Sequence, residues 1–349
     1  MANEGTLAPP RLGRVERRKV QIGGEAALRV EPPQEGRTIP VTLRNTIPGV
    51  KLIDWAAENR ETVDRALAEY GAVLFRGFEV GGLEPFSRLI HVVGGTPEEY
   101  TYRSTPRTGL GGGVYTSTEY PADKSIPFHN ENSYTGAWPL KLFFYCEVPS
   151  AEGGATPICD SARVYGRIPA ELRERFAAKK VMYVRNYGEG VDLPWQEVFQ
   201  TDDRAKVEAF CTSHGIELEW KGEDRLRTRQ VCQAVARHPK NGKMLWFNQA
   251  HLFHVTALDP EVGEALLEAL GEENLPRNTF YGDGTRIDPA DLEVIRRAYD
   301  QEEVAFPWQK EDVLLLDNMA VAHARHPYKG ERKIRVGMTE PFDAASLEA

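Results

Sequence analysis

Cysteine is scarce and dispersed. The chain of 349 residues carries four, Cys146, Cys159, Cys211 and Cys232, and no two of them form a CxxC pair. That spacing excludes a zinc knuckle or a disulfide framework, and reduced thiols are the simplest reading. Long apolar runs are also missing: nothing approaches the ~20 residues that a membrane span needs. The N-terminal residues lack the apolar stretch of a secretory signal, so a cytoplasmic protein is expected, with no membrane partner. Excess positive charge is absent as well. Lys+Arg number 43 against 52 Asp+Glu, a net charge of −9, which argues against nucleic acid or an anionic bilayer as the main partner and leaves a small molecule. No internal repeat is visible.

What is present begins with a lead-in. Residues 1 to about 40 mix Pro9, Pro10, Pro32 and Pro33 with the basic cluster Arg14, Arg17, Arg18 and Lys19, and show no hydrophobic period; a flexible N-terminal segment is expected there. From Asp54 to Tyr70, apolar residues recur at helical spacing, and Gly71 ends the helix. Ala72–Phe75 then reads as a buried strand and Pro85–Val93 as a second helix. The glycines at 109–113 precede no Gly-Lys-Ser/Thr, so a mobile loop beside the site is expected rather than a phosphate cradle. Lys141–Glu147, Val313–Leu316 and Lys333–Thr339 are strand-like, and Asp259 and Asp288 stand as N-caps of amphipathic helices. A helical insertion is expected at about 161–230. Strand clusters flanking it fit a mainly β chain with helical decorations, its core a jelly-roll or double-stranded β-helix filling a single domain over 41–349.

The chemistry concentrates in His129-Asn130-Glu131 and, far downstream, His323. Two imidazoles and one carboxylate on one face of a metal leave the opposite face open, the arrangement used by non-haem Fe(II) oxygenases. On a strand, His129 and Glu131 would point the same way and Asn130 the other. A lone HxE triplet is weak, since such triplets often mark a solvated strand. His326 competes with His323, but it precedes Pro327 and reads as loop-bound. His91, His214 and His238 read as structural or surface residues. His251 and His254 form an HxxH, a rival zinc site that lacks a following Glu or Cys; its aromatic surroundings suit a substrate wall equally well. In Arg332–Met338, the residues Arg332, Ile334, Val336 and Met338 share one strand face, and Lys333 and Arg335 the other. An arginine on the apolar face requires an anion such as a dicarboxylate. A surface pairing of Arg332 with Glu331 is the competing reading.

As an ordered set, several segments resemble the TauD/TfdA family of Fe(II)/2-oxoglutarate-dependent dioxygenases, and more narrowly its SyrP-like branch. They are Gly71–Phe78, Ser117–Pro121, Pro127–Tyr134, Gly153–Pro157, Phe247–His251 and Asp317–Arg332. The resemblance implies a double-stranded β-helix, with His129, Glu131 and His323 as iron ligands. It also implies Arg332 on the distal carboxylate of 2-oxoglutarate, with Thr156 assisting and Arg335 as the alternative. Related halogenases carry a small residue at the carboxylate position, so Glu131 favours hydroxylation.

The implied enzyme is a hydroxylase that consumes 2-oxoglutarate and O2 at Fe(II) and needs no general base beyond the metal centre. The SyrP-like branch implies an amino acid or amino-acyl substrate in antibiotic or other natural-product biosynthesis, free or tethered to a carrier protein. Asn248 and His254 are the candidate substrate contacts. Desaturation or epoxidation of a small carboxylic acid would use the same centre. A jelly-roll protein that binds metal or 2-oxoglutarate without turnover is the non-enzymatic alternative.

Overall fold

The computed structural model describes residues 28–97, 107–118, 120–188, 192–222 and 224–347. An eight-stranded sheet forms the backbone of the molecule. Its order is Leu28–Glu31, Val41–Asn45, Ala72–Arg76, Val313–Asp317, Ala137–Val148, Lys333–Asp343, Val114–Thr116 and Gly109–Gly111. Facing it is a sheet of three strands, Ile126–His129, Val321–Arg325 and Ile158–Asp160.

Alternation along the strands sorts the side chains into two layers. Ala72, Leu74, Leu142, Phe144, Leu314, Leu316, Ile334, Val336 and Met338 pack with Ile158 and Val321 of the small sheet. Their neighbours Val73, Phe75, Phe143, Tyr145, Val313 and Leu315 pack on the opposite side against the helices Leu52–Glu58, Arg60–Tyr70 and Leu83–Gly94. The interior between the two sheets is thus apolar, and His323, which shares a strand face with Val321, opens into it.

Four expectations need correction. The helix expected over 54–70 is broken at Asn59 into Leu52–Glu58 and Arg60–Tyr70, although Gly71 does end it in the left-handed conformation. The insertion at 161–230 holds the expected helices, Ser161–Arg167, Ala170–Lys179, Trp195–Phe199 and Arg204–Ser213, but is not helical throughout. It contributes Val181–Tyr187, Glu217–Trp220 and Leu226–Cys232, which join Arg277–Tyr281 in a four-stranded sheet. The glycines at 109–113 belong to a hairpin, and Gly112 O accepts a hydrogen bond from Ser87 Oγ at 2.6 Å. The lead-in lies outside the described residues up to 27, but Leu28–Glu31 is a strand, paired antiparallel with Val41–Asn45. Among the described residues, no helix is long and apolar enough to cross a membrane.

Candidate metal centre

His129 ends its strand directly opposite His323 in the register of the small sheet. The ring centroids lie 4.3 Å apart. Glu131 is not on that strand: the chain turns after His129, with Asn132 at φ 57. What fixes the Glu131 backbone is Asn318. Its Oδ1 accepts from Glu131 N at 2.7 Å and its Nδ2 donates to Glu131 O at 2.9 Å, so the turn is held from both sides. Asn130 points away into the protein as expected, where its amide donates to Ser161 Oγ and to the carbonyl of Asn318. One donor atom each from His129, Glu131 and His323 then lies within 4.8 Å of the others.

The protonation states suit a cation. His129 Nδ1 is 2.8 Å from Pro127 O, and because a carbonyl only accepts, that nitrogen carries the hydrogen and leaves the Nε2 lone pair free. Burial lowers the His129 pKa, outweighing the opposing pull of Glu131 and of the Pro127 carbonyl, and the charge of Arg107 adds to it least. Burial pushes His323 well below the ordinary histidine range, and the neighbouring His129 and Arg107 push it further. Two neutral imidazoles and a carboxylate are a donor set that fits Fe(II) with an open face. Phe144, 5.0 Å from the His323 ring, forms an apolar wall beside them.

Three arginines line the same cavity: Arg107, Arg325 and Arg332. Arg332 precedes the strand Lys333–Asp343 and donates through Nε to Gly154 O at 2.9 Å and through a terminal nitrogen to Thr156 Oγ1 at 3.1 Å. Trp308 Nε1 donates to the same hydroxyl at 3.0 Å. Burial, then the charge of Arg325, draws the Arg332 pKa down to about 10, so this cation favours an anionic partner. Arg335 points to the other face and pairs with Glu147 at 2.5 Å. Arg325 donates to the carbonyls of Tyr120, Pro121 and Lys124. Arg107, which nothing in the sequence singles out, binds Glu131 Oε2 at 2.7 Å.

The remaining candidates lie elsewhere. Asn248 is fully buried, donating to Ala234 O and accepting from Ala250 N. His254 accepts from Thr256 N and caps the turn Val255–Ala257. Neither lines this cavity: both polar atoms of Asn248 and Nδ1 of His254 are engaged in local structure. The HxxH assembles no metal site among the described residues, because His251 Nε2 is 2.9 Å from Phe128 O while His254 faces Thr256. His326 is on the surface beside Glu303.

The description "Taurine catabolism dioxygenase TauD, TfdA family" matches residues 33–338. The dapdiamide synthesis protein DdaC of Enterobacter agglomerans is 44% identical over 288 residues, covering 82% of this chain and 87% of that protein. A clavaminate synthase-like protein of Arabidopsis thaliana is 34% identical, covering 78% and 82%. Among solved structures, PvcB from Pseudomonas aeruginosa superposes with a TM-score of 0.56 at 15% identity, covering 94% of this chain and 98% of that one. PvcB is itself described as an Fe, alpha-ketoglutarate dependent oxygenase from an isonitrile synthetic pathway. With the family match spanning most of its length, the chain belongs to the TauD/TfdA family and is an iron- and 2-oxoglutarate-dependent oxygenase.

Proposed function

We propose that His129, Glu131 and His323 hold the iron, that Arg332 and Thr156 receive the distal carboxylate of 2-oxoglutarate, and that the enzyme hydroxylates an amino acid or amino-acyl group in a biosynthetic pathway. The observation that carries this reading is the cross-strand pair His129 and His323, with Glu131 turned onto the same point. Iron with 2-oxoglutarate, when bound, consumes O2 and supplies the oxidant for an unactivated C–H bond, with succinate and CO2 as co-products. The protein's share is placement. Arg332 offers a guanidinium already oriented by Gly154 and Thr156, suited to a carboxylate. Phe144, Ile334 and Val336 exclude water from the cavity wall. Glu131 fills the position that a halide would need, which supports hydroxylation. DdaC, named for dapdiamide synthesis, supports a biosynthetic role.

Succinate release would be assayed with free amino acids and with the same residues loaded on a carrier; stimulation by neither set would remove the substrate class. Arg332→Gln is expected to raise the KM for 2-oxoglutarate by about tenfold or more, since a charge-assisted pair contributes roughly 1.5–3 kcal/mol. Arg335→Gln, which removes a surface pair, should leave it nearly unchanged. The reverse ranking would assign the co-substrate to Arg335.

A further inference from the structure

We propose that Arg107 is a positioning residue for the metal: its guanidinium fixes the carboxylate of Glu131 as a one-oxygen ligand, and metal affinity depends on it. This inference rests on the ligand set proposed above. The Arg107 and Glu131 side chains are only 4% and 5% exposed, and a terminal nitrogen of Arg107 lies 2.7 Å from Glu131 Oε2. The same Oε2 faces the imidazoles, 4.0 Å from His323 Nε2. A carboxylate oxygen has two lone-pair directions, so Oε2 can accept from Arg107 with one and present the other to a cation. Asn318 grips the Glu131 backbone through its N–H and C=O but touches neither carboxylate oxygen. Among the described residues, Arg107 is the one side chain hydrogen-bonded to that carboxylate.

The other two arginines on the cavity wall are disposed differently. Arg332 is turned to Gly154 and Thr156, and Arg325 to three backbone carbonyls; among the described residues neither has a carboxylate partner. Arg107 alone of the three is turned onto a proposed ligand. Its positive charge opposes a dication, and the carboxylate of Glu131 offsets it. Without Arg107 that carboxylate is buried with no side-chain hydrogen-bond partner among the described residues and free to rotate away from the imidazoles. Groups that orient ligating side chains typically contribute about 10–100-fold in metal affinity, and that effect is expected to prevail here.

The test is anaerobic titration of the full chain with Fe(II), and separately with Co(II), in the absence of substrate. Arg107→Met is expected to weaken binding about 10–100-fold and to change the shape of the Co(II) absorption spectrum, which reports on the coordination sphere and not on fold stability. Arg107→Lys keeps the charge but replaces the fork with a single point, so an intermediate loss of roughly three- to tenfold is expected; this variant carries the test should the Met variant fail to fold. Affinity and Co(II) spectrum unchanged from wild type in a folded variant would overturn the proposal. Glu131→Ala and His323→Ala run alongside: if they lose no affinity, the ligand set itself fails, whereas loss there without loss in the Arg107 variants refutes only the role of Arg107.

Discussion

At the scale of single residues, the centre depends on an asparagine that binds nothing but backbone. Asn318 is fully buried, and its amide holds Glu131 at N and O and Pro139 at O. Asn318→Ala would leave those groups without partners in an interior that cannot hydrate them. A buried unsatisfied group costs about 1–3 kcal/mol, and with partial relaxation a loss of about 3 kcal/mol is expected, together with weaker metal binding because the turn after His129 is released. Urea unfolding would measure it; a change below about 1 kcal/mol would show that the turn stands without its clamp. The two histidines and the glutamate became legible as a set only through the ordered segments that resemble the family, since a lone HxE triplet is weak by itself. The reason Glu131 points correctly was not legible. Strand alternation predicts the right direction, whereas the structure achieves it with a turn and a partner 187 positions away. Arg107 was invisible for the same reason: an arginine in a loop carries no mark of the carboxylate that it will meet.

At the scale of elements, the central strands Ala72–Arg76, Val313–Asp317 and Ala137–Val148 were legible because they are apolar on both faces, as a sheet covered by helices on one side and a second sheet on the other requires, whereas the outer strands Leu28–Glu31, Val41–Asn45 and Gly109–Gly111 carry no such run. The strand Leu226–Cys232 was not legible, since Arg227 and Arg229 make it look like a solvated segment. Yet Arg227 is buried, its charge met by Asn186 Oδ1, Glu273 O and Asn274 Oδ1, acceptors that composition cannot reveal. A close helix-to-sheet approach also escapes the hydrophobic pattern. Gly94, at the end of the helix Leu83–Gly94, lies so near the strand Lys333–Asp343 that a Cβ there would sit 2.8 Å from Thr339 Cγ2 and 2.9 Å from Phe143 Cε2. Thr339 and Phe143 are themselves buried and cannot yield freely. Gly94→Ala should therefore cost about 1–3 kcal/mol through overpacking, against the gain in helix propensity expected at an open site. A melting temperature equal to or above that of the wild type would show that the helix can lift off the sheet at no cost.

At the scale of the whole molecule, the buried histidines make stability depend on pH in a window where carboxylates have little say. Burial, then the charge of Arg296, lowers His251 to about 3 and His254 to about 4, while an unfolded chain returns both to about 6.5. Above 6.5 neither state takes up a proton at these sites and stability is flat. As pH falls through 6.5, the unfolded chain binds protons that the folded one refuses, so stability declines until the folded pKa values are reached. At pH 5 each histidine accounts for roughly 2 kcal/mol by this linkage, and Asp and Glu in the unfolded chain are still mostly ionised. Urea midpoints taken at pH 7.5, 6.5, 5.5 and 5.0 on metal-free protein should therefore fall steadily below pH 6.5. His251→Asn, less stable at neutral pH because it loses the packing on Tyr299 and the bond to Phe128 O, should show a shallower decline by one titrating group. A flat profile down to pH 5 would mean that the folded protein admits protons to these imidazoles, and hence that the interior behind His129 opens to water more readily than its packing indicates.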